Sequence, residues 1–319
     1  MSTFAFCDAD GKINVSQTYD DPARRTAIGV YYLTAGVIGI PICAFNLTVF
    51  CRRQNIQQSC YKLLVISVAL DLINLLNGAI IAGLLTLFNA TPCNGHWWTV
   101  WFGREHIVFW YAYSATSIVL ALNRMLIFAS KRLSQLLFDG ARCWLWLLAI
   151  IGYTVALVCI DLNVDFVYDP NAGTIFDTTV NLVHVANNFV KLGFVTFLYL
   201  LMLTFIFIQI KKSGKKVDKA QIKISLMTLS IAALADFGSA AFLAASYLPQ
   251  DTALGRNSGI IGESSWFILH TGTGIIYMFC NKAVLDRLKL FLCCRRAKHS
   301  EVSIVASTRT VQVNNLVRP

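Results

Sequence analysis

Four ionisable side chains lie inside long apolar stretches of the sequence: Asp71, Arg124, Lys191 and Asp236. A charge within a hydrocarbon layer is costly, so such residues mark buried pairs or functional sites. Asp71 follows Tyr61 by ten residues, which is about 15 Å along an α-helix and therefore near the middle of a bilayer. These four residues are the first candidates for function.

Each of them has a structural and a functional interpretation. Asp71 is either a protonated group hydrogen-bonded to Asn46 or Asn74, or the centre of a polar network that rearranges between two states and could bind a cation. Asp236 raises the same choice, although a proton relay would need more carboxylates that face one another. Arg124 either snorkels to the interface as an anchor or contacts a partner protein once the helices separate.

A second group of residues combines aromatic and polar side chains near the helix ends on the side of the membrane opposite Arg124. The spacing of His184, Asn188 and Lys191 places them on one helical face, and Trp266 and His270 could face them from another helix. A ligand site needs an apolar cavity with a few placed polar groups; a structural network of hydrogen bonds is the alternative. The predicted ligand-binding residues are His106, Trp110, Tyr113, His184, Asn188, Lys191, Trp266 and His270.

The charge of Lys191 bears on the ligand. If Lys191 lines the pocket, its ammonium group is expected to pair with an anionic ligand or with an acidic side chain such as Glu263. By contrast, Trp97, Trp98 and Trp101 fit the aromatic belt of a membrane interface.

The elements that hold these residues follow from composition. The 319 residues are 56% hydrophobic and 14% charged, whereas soluble domains average about 25% charged residues. We therefore predict an all-α integral membrane protein, with a bundle over residues 27–285 after an extracellular segment, 1–26, that is not a signal peptide. Seven apolar segments reach the ~17–25 residues needed to cross a bilayer: 27–51, 61–88, 104–130, 143–162, 184–210, 220–248 and 263–285.

The basic residues indicate the orientation. With the N-terminus outside, the four inner segments hold 3, 4, 6 and 8 of the 27 Lys and Arg residues, and the outer segment 161–181 has four Asp and no basic residue. This bias predicts an extracellular N-terminus and a cytoplasmic C-terminus. It also explains the net charge of +10, so a nucleic-acid partner is not predicted. The sequon at Asn14 then lies outside as a candidate glycosylation site.

Cysteines and histidines give few signs of a cofactor. Cys7 and Cys93 lie on the oxidising side, where they form either a disulfide, which we favour, or two free thiols. No CxxC pair occurs and the histidines are scattered, so no metal site is predicted. No nucleophile–base set or phosphate-binding loop argues for an enzyme. Lys282, at the inner end of the seventh segment, is badly placed to carry retinal.

Collinear motifs carry a family resemblance. Asn46, Asp71, Arg124 and Tyr277 follow the order, and nearly the spacing, of signature residues in rhodopsin-like G-protein-coupled receptors. More narrowly, residues 24–294 resemble nematode chemosensory receptors of serpentine receptor class T. The segments that carry this resemblance are RRTAIGVYY, SCYKLLVISVALDLI, LALNRM, DPNAG, VNLVHVANN and WFILHTGTGIIYMFCNK.

The resemblance implies a seven-transmembrane chemosensory receptor in the plasma membrane, with sensory cilia as one candidate location. It would bind an external small molecule, shift toward an inwardly open state and activate a heterotrimeric G protein. A ligand-gated channel with its N-terminus inside, or a transporter with internal repeats, is the alternative. The expected switch and coupling residues are Asn46, Asp71, Asn123, Arg124, Asp236 and Tyr277.

The resemblance also accounts for the C-terminal region. The segment TGIIYMFCNKAVLDR resembles the end of the seventh helix followed by a short eighth helix that lies on the inner membrane surface. We assign residues 286–294 to this amphipathic helix and 295–319 to a cytoplasmic tail. Cys293 and Cys294 are candidate palmitoylation sites, with unmodified thiols as the alternative.

Three departures from the rhodopsin-like pattern affect the expectations. Asn123 replaces an acid, so Arg124 has no charged neighbour there. Thr273-Gly274 stands where Asn-Pro is expected, so a hinge would depend on glycine. The second outer loop has no cysteine, so its usual disulfide to the third helix cannot form.

Overall fold

A computed structural model describes residues 6–7, 13, 21–162, 164–177, 181–213, 219–246, 248 and 252–292. The candidate sites at Asn14, Cys293 and Cys294, and the tail 295–319, lie outside these residues.

Long helices dominate the described part of the chain. They are α1 (Pro22–Phe50), α2 (Ser59–Leu75, extended by a π-helical turn, Leu76–Ile81, and by Ala82–Leu87), α3 (Thr99–Ala129), α4 (Cys143–Ile160), α5 (Leu182–Ser213), α6 (Lys219–Ser246), α7 (Ser258–Cys280) and α8 (Lys282–Leu292). Short helices connect them at Arg53–Ile56, Pro92–Asn94, Lys131–Phe138, Gly140–Arg142 and Ala253–Arg256.

In this described part, α1 to α6 are long and apolar enough to cross a membrane. The helix α7, which carries Glu263, His270 and several Ser, Thr and Gly residues, is not among these candidate spans. Most helix bounds lie within a few residues of the predicted ones, and α3 begins at Thr99 instead of residue 104.

The boundary between the seventh span and the amphipathic helix was predicted too late, at 285/286. The helix α7 ends at Cys280, and α8 begins at Lys282. Asn281 has an extended conformation, and its Oδ1 accepts hydrogen bonds from the backbone N–H groups of Ala283 and Val284, at 3.0 and 3.4 Å. A side-chain oxygen that caps a helix N-terminus favours a new helix, which explains the break.

An antiparallel hairpin lies at one end of the bundle. It consists of β1 (Phe166–Asp169) and β2 (Thr174–Asp177), and Phe166 pairs with Asp177. This end is termed the outer end, following the orientation that the basic residues predict, and the end with Arg124 is the inner end. Tyr168 of β1 is fully buried, so the hairpin is part of the packed core.

Candidate ligand site

A cavity of about 170 Å³ lies beneath the hairpin, between α3, α5, α6, α7 and β2. Five of the predicted pocket residues line it: His106, Trp110, His184, Asn188 and Trp266. The other lining residues are Ile107, Thr174, Ile175, Phe176, Gly238, Ser239, Gly262, Glu263, Ser265 and Leu269.

Stacked rings form one side of the cavity. The ring centroids of His106 and Trp266 are 4.6 Å apart, and those of Trp110 and Trp266 are 4.7 Å apart. The indole N–H of Trp110 donates to Asn188 Oδ1 at 2.8 Å, which holds α3 against α5. These contacts orient large aromatic surfaces before any ligand arrives.

The π-helical turn of α2, which was not predicted from the sequence, supports this stack. Gly78 lies in the turn, and a Cβ there would be 3.3 Å from Trp266 and 3.4 Å from His106. An extra residue in a helical turn rotates the side chains that follow it, and such turns occur frequently at functional sites.

Lys191 does not line the cavity, in contrast to the prediction. Its Nζ donates to Ser239 Oγ at 2.8 Å and to the Ala235 carbonyl at 3.2 Å, and lies 4.6 Å from the Trp110 ring centroid. The expected pairing with Glu263 is not formed, because Lys191 is directed at α6. Glu263 instead accepts a hydrogen bond from Thr174 Oγ1, at 3.3 Å.

His270 and Tyr113, which were also predicted to bind the ligand, do not line the cavity. His270 Nδ1 is 2.6 Å from Asp71 Oδ1, and both residues are buried. Tyr113 makes an edge-to-face contact with the His270 ring, with centroids 5.1 Å apart.

The expected partners of Asp71 were Asn46 and Asn74, and neither is hydrogen-bonded to it. Asn46 Nδ2 donates instead to the Gly274 carbonyl at 2.9 Å, and the side-chain atoms of Asn74 have no partner among the described residues. Asp71 was predicted as a switch residue and His270 as a pocket residue, whereas the structure joins the two side chains. The only sequence signal for this arrangement was the i, i+4 spacing of Trp266 and His270, which places both side chains on one face of a helix.

At the inner end, Arg124 is buried, with 1% of its surface exposed. The snorkelling interpretation is therefore wrong. Its Nη2 donates to Asn123 Oδ1 at 2.7 Å, whereas its Nε and Nη1 have no hydrogen-bond partner in the described part of the chain. Tyr277 is also buried and packs edge-to-face on Phe50, at 5.1 Å between centroids.

Asp236 lies apart from these residues. It is half-buried on α6 and accepts a hydrogen bond from Thr196 Oγ1 of α5, at 3.3 Å.

The helix α7 runs without interruption through Thr273-Gly274, where a hinge was expected. A Cβ on Gly274 would lie 2.7 Å from Ile42. The glycine therefore permits close contact between α7 and α1.

A family model described as "Serpentine type 7TM GPCR chemoreceptor Srt" matches residues 6–301. The chain belongs to this Srt family. The crystal structure of squid rhodopsin is similar to the Srt receptor with a TM-score of 0.66 and 10% sequence identity, over 89% of this chain and 91% of that chain. At this identity the likeness shows the fold. A comparison with curated proteins finds no significant match.

The predicted all-α seven-transmembrane bundle is thereby confirmed, and so is the predicted receptor class. The Srt receptor is a multi-pass membrane protein of a chemoreceptor family. A channel or transporter is not favoured.

The second outer loop of the Srt receptor has no cysteine for a disulfide to the third helix. Close packing and hydrogen bonds hold the hairpin instead. A Cβ on Gly103 of α3 would lie 2.1 Å from the Phe166 carbonyl oxygen, so this close approach requires glycine. Tyr32 donates to the carbonyl of Gly173 at 2.5 Å, and Gly173 turns the hairpin with a positive φ of 68°.

Side-chain contacts secure the hairpin of the Srt receptor further. Tyr168 and Thr86 share a hydrogen bond of 2.6 Å. Burial raises the pKa of Tyr168, so its hydroxyl keeps its proton. Arg104 pairs with Asp165 at 2.9 Å.

A disulfide joins Cys7 to Cys93. It was the favoured alternative for these two residues. The bond ties the N-terminal arm to the loop between α2 and α3.

Proposed function

We propose that this Srt receptor binds a small external molecule in the cavity beneath the hairpin and then favours an inwardly open bundle that activates a heterotrimeric G protein. The observation that carries the proposal is a cavity with aromatic and polar walls directly above the buried His270–Asp71 pair. A ligand shifts such an equilibrium only by binding one state more tightly. Nucleotide exchange takes place on the G protein, and the receptor is not an enzyme.

The side chains below the cavity provide a physical connection to the inner half. Trp266 lines the cavity, its ring centroid is 5.0 Å from that of His270, and His270 contacts Asp71. Movement of Trp266 on ligand binding would change the contact between α7 and α2. We propose that this contact biases the inner end, where Arg124 and Tyr277 are buried.

We propose that the inner surface meets an acidic partner protein and the lipid boundary. The basic residues of the segment between α5 and α6 would face the G protein. In α8, Phe291 has 75% of its surface exposed, which suits a helix lying against lipid. We also propose palmitoylation at Cys293 and Cys294, glycosylation at Asn14, an extracellular N-terminus and a plasma-membrane location.

Substitution of the aromatic wall tests the proposal. Trp110→Ala and Trp266→Ala should raise the agonist concentration for half-maximal G-protein activation by roughly tenfold or more, because each removes a large aromatic contact. Trp101→Ala is the matched control, since Trp101 lies on α3 outside the cavity and is 63% exposed. Agonists would come from a panel of volatile and water-soluble compounds.

An N-terminal epitope tag on unpermeabilised cells measures surface expression of each variant and tests the orientation. Unchanged dose-response curves for both cavity variants at equal surface expression would contradict the proposed site. Labelling of the tag only after permeabilisation would contradict the orientation.

A further inference from the structure

The ionisable side chain on the cavity wall is acidic, whereas the sequence predicted a basic one, Lys191. Glu263 lines the cavity, five residues after α7 begins at Ser258, and is 4% exposed. Its Oε1 accepts the hydrogen bond from Thr174, and its Oε2 has no partner among the described residues. A buried carboxyl oxygen without a donor is a costly arrangement, so this oxygen requires an explanation.

Lys191 does not compensate for this carboxyl group. Two of its contacts are hydrogen bonds to Ser239 and the Ala235 carbonyl, and the third is the face of Trp110. An ammonium group has three N–H donors, and these contacts match that number. The ammonium group of Lys191 therefore has a partner for each donor, whereas Glu263 Oε2 has no donor among the described residues.

Two other lining residues also carry buried polar atoms that have no partner within the part of the chain that the structure describes. They are His106, at Nδ1, and Trp266, at Nε1. The remaining wall includes Ile107, Phe176 and Leu269, which are apolar. A cavity with hydrophobic walls and a few unsatisfied polar groups has the composition of a small-molecule site.

We propose that the cavity takes a small organic amine, with its nitrogen hydrogen-bonded to Glu263 and its apolar body against Trp110 and Trp266. The inference rests on the proposed ligand site and specifies the ligand class. In the charged pair the ammonium group donates to the carboxylate, and in the neutral pair the carboxylic acid donates to the amine nitrogen. The two pairs contain the same number of protons, so either form completes the contact. The faces of tryptophan rings also attract cations.

Size and charge narrow the class further. A protein cavity of about 150 Å³ accommodates benzene, so a cavity of about 170 Å³ suits an amine with one ring or an equivalent alkyl chain. A ligand with a carboxylate group would place its negative charge beside Glu263, and it would have no N–H group to donate to that side chain. Ordered water at the unsatisfied atoms is the competing explanation, and it predicts no preference for amines.

The test uses the full-length receptor in lipid nanodiscs and three probes that share one ring: benzylamine, benzyl alcohol and benzoic acid. Binding is measured from the concentration dependence of the thermal unfolding temperature. Benzylamine should bind at least about tenfold more tightly than benzyl alcohol, because a charge-assisted hydrogen bond replaces a neutral one. Benzoic acid should bind most weakly.

Glu263→Gln preserves the shape of the side chain and should abolish the preference for the amine. Glu105→Gln is the matched control, because Glu105 lies at the outer end of α3 with its side chain exposed and does not line the cavity. It should retain the preference. Should Glu263→Gln fail to fold, the ranking of the three probes on the unmodified receptor decides the question.

Several outcomes would overturn the inference: no benzylamine binding, equal binding of amine and alcohol, an amine preference that survives Glu263→Gln, or tighter binding of benzoic acid that Lys191→Met abolishes. G-protein nucleotide exchange is measured separately. Amine binding without nucleotide exchange would support the inference about the cavity and contradict the proposed signalling function.

Discussion

The outer and inner ends of the bundle are held by different kinds of contact. At the outer end, the hairpin lies so close to α3 that Gly103 has no room for a Cβ, and the backbone of Gly173 is bonded to Tyr32. At the inner end, Arg124 is buried with a single hydrogen-bond partner, Asn123, among the described residues.

This difference indicates which end can change. Contacts that involve backbone atoms leave the outer end few alternative arrangements, so the cavity is formed before the ligand binds. The guanidinium group of Arg124 has N–H donors that lack partners in the described ranges, and a new acceptor for such donors would lower the free energy of the arrangement that supplies it. Rearranging the inner end therefore costs less free energy than rearranging the outer end.

The largest loss of stability is expected at the contact between His270 and Asp71, where the outer and inner halves of the bundle meet. His270→Ala should lower the free energy of unfolding by about 3 kcal/mol, because it removes a buried ring and leaves the buried Asp71 side chain without its hydrogen-bond partner. Asp71→Ala should cost a similar amount, and the double variant should cost clearly less than the sum of the two. Thermal unfolding of the purified variants measures this coupling, and strictly additive losses would show that the contact does not join the two halves.

The next effect tests the rigidity of the outer end. Gly103→Ala should destabilise the receptor by about 2 kcal/mol, because the added methyl group meets the backbone of β1. Gly152→Ala provides a control, since a Cβ there meets no atom within 4 Å, and replacing an exposed helical glycine is favourable. Equal unfolding temperatures for the two variants would mean that the hairpin can move away from α3.

A smaller effect is expected for signalling from the inner end. With Asn123 in place of an acid, we expect measurable signalling without ligand, and Asn123→Asp should reduce it about fivefold. A charged hydrogen-bond partner for Arg124 stabilises the closed arrangement by about 1 kcal/mol more than a neutral one. Asn123→Ala, which removes the partner, should raise ligand-free signalling. A receptor that is silent without ligand at high expression would contradict this expectation.

The smallest effect is expected at the surface of α8. The hydrogen bond from Lys282, at 2.8 Å, lowers the pKa of Asp286, and both side chains are exposed. Stabilisation from a carboxylate with a lowered pKa is present above its ordinary pKa and is lost as the pH falls through the lowered value. Asp286→Asn should therefore change neither the unfolding temperature nor signalling near neutral pH, since exposed pairs contribute little. A clear loss of signalling would assign Asp286 to the partner surface.

Part of the site could be predicted from the sequence. The spacing of His184 and Asn188, and the aromatic residues Trp110 and Trp266, indicated the cavity wall. Lys191 has the same helical spacing, but its ammonium group is directed toward α6. Periodicity identifies a face of a helix, and it does not determine which neighbouring helix a long side chain will reach.

The sequence by itself determined the class of molecule, because the length of apolar segments and the distribution of basic residues are local properties that a bilayer constrains directly. Only the tertiary structure decided that His270 pairs with Asp71, that Gly103 supports a hairpin about 60 residues away in the chain, and that Glu263 is the acid on the cavity wall. These contacts depend on how each helix is rotated about its axis. Helices that are apolar on most faces carry little periodic signal for that rotation, so packing between helices determines it.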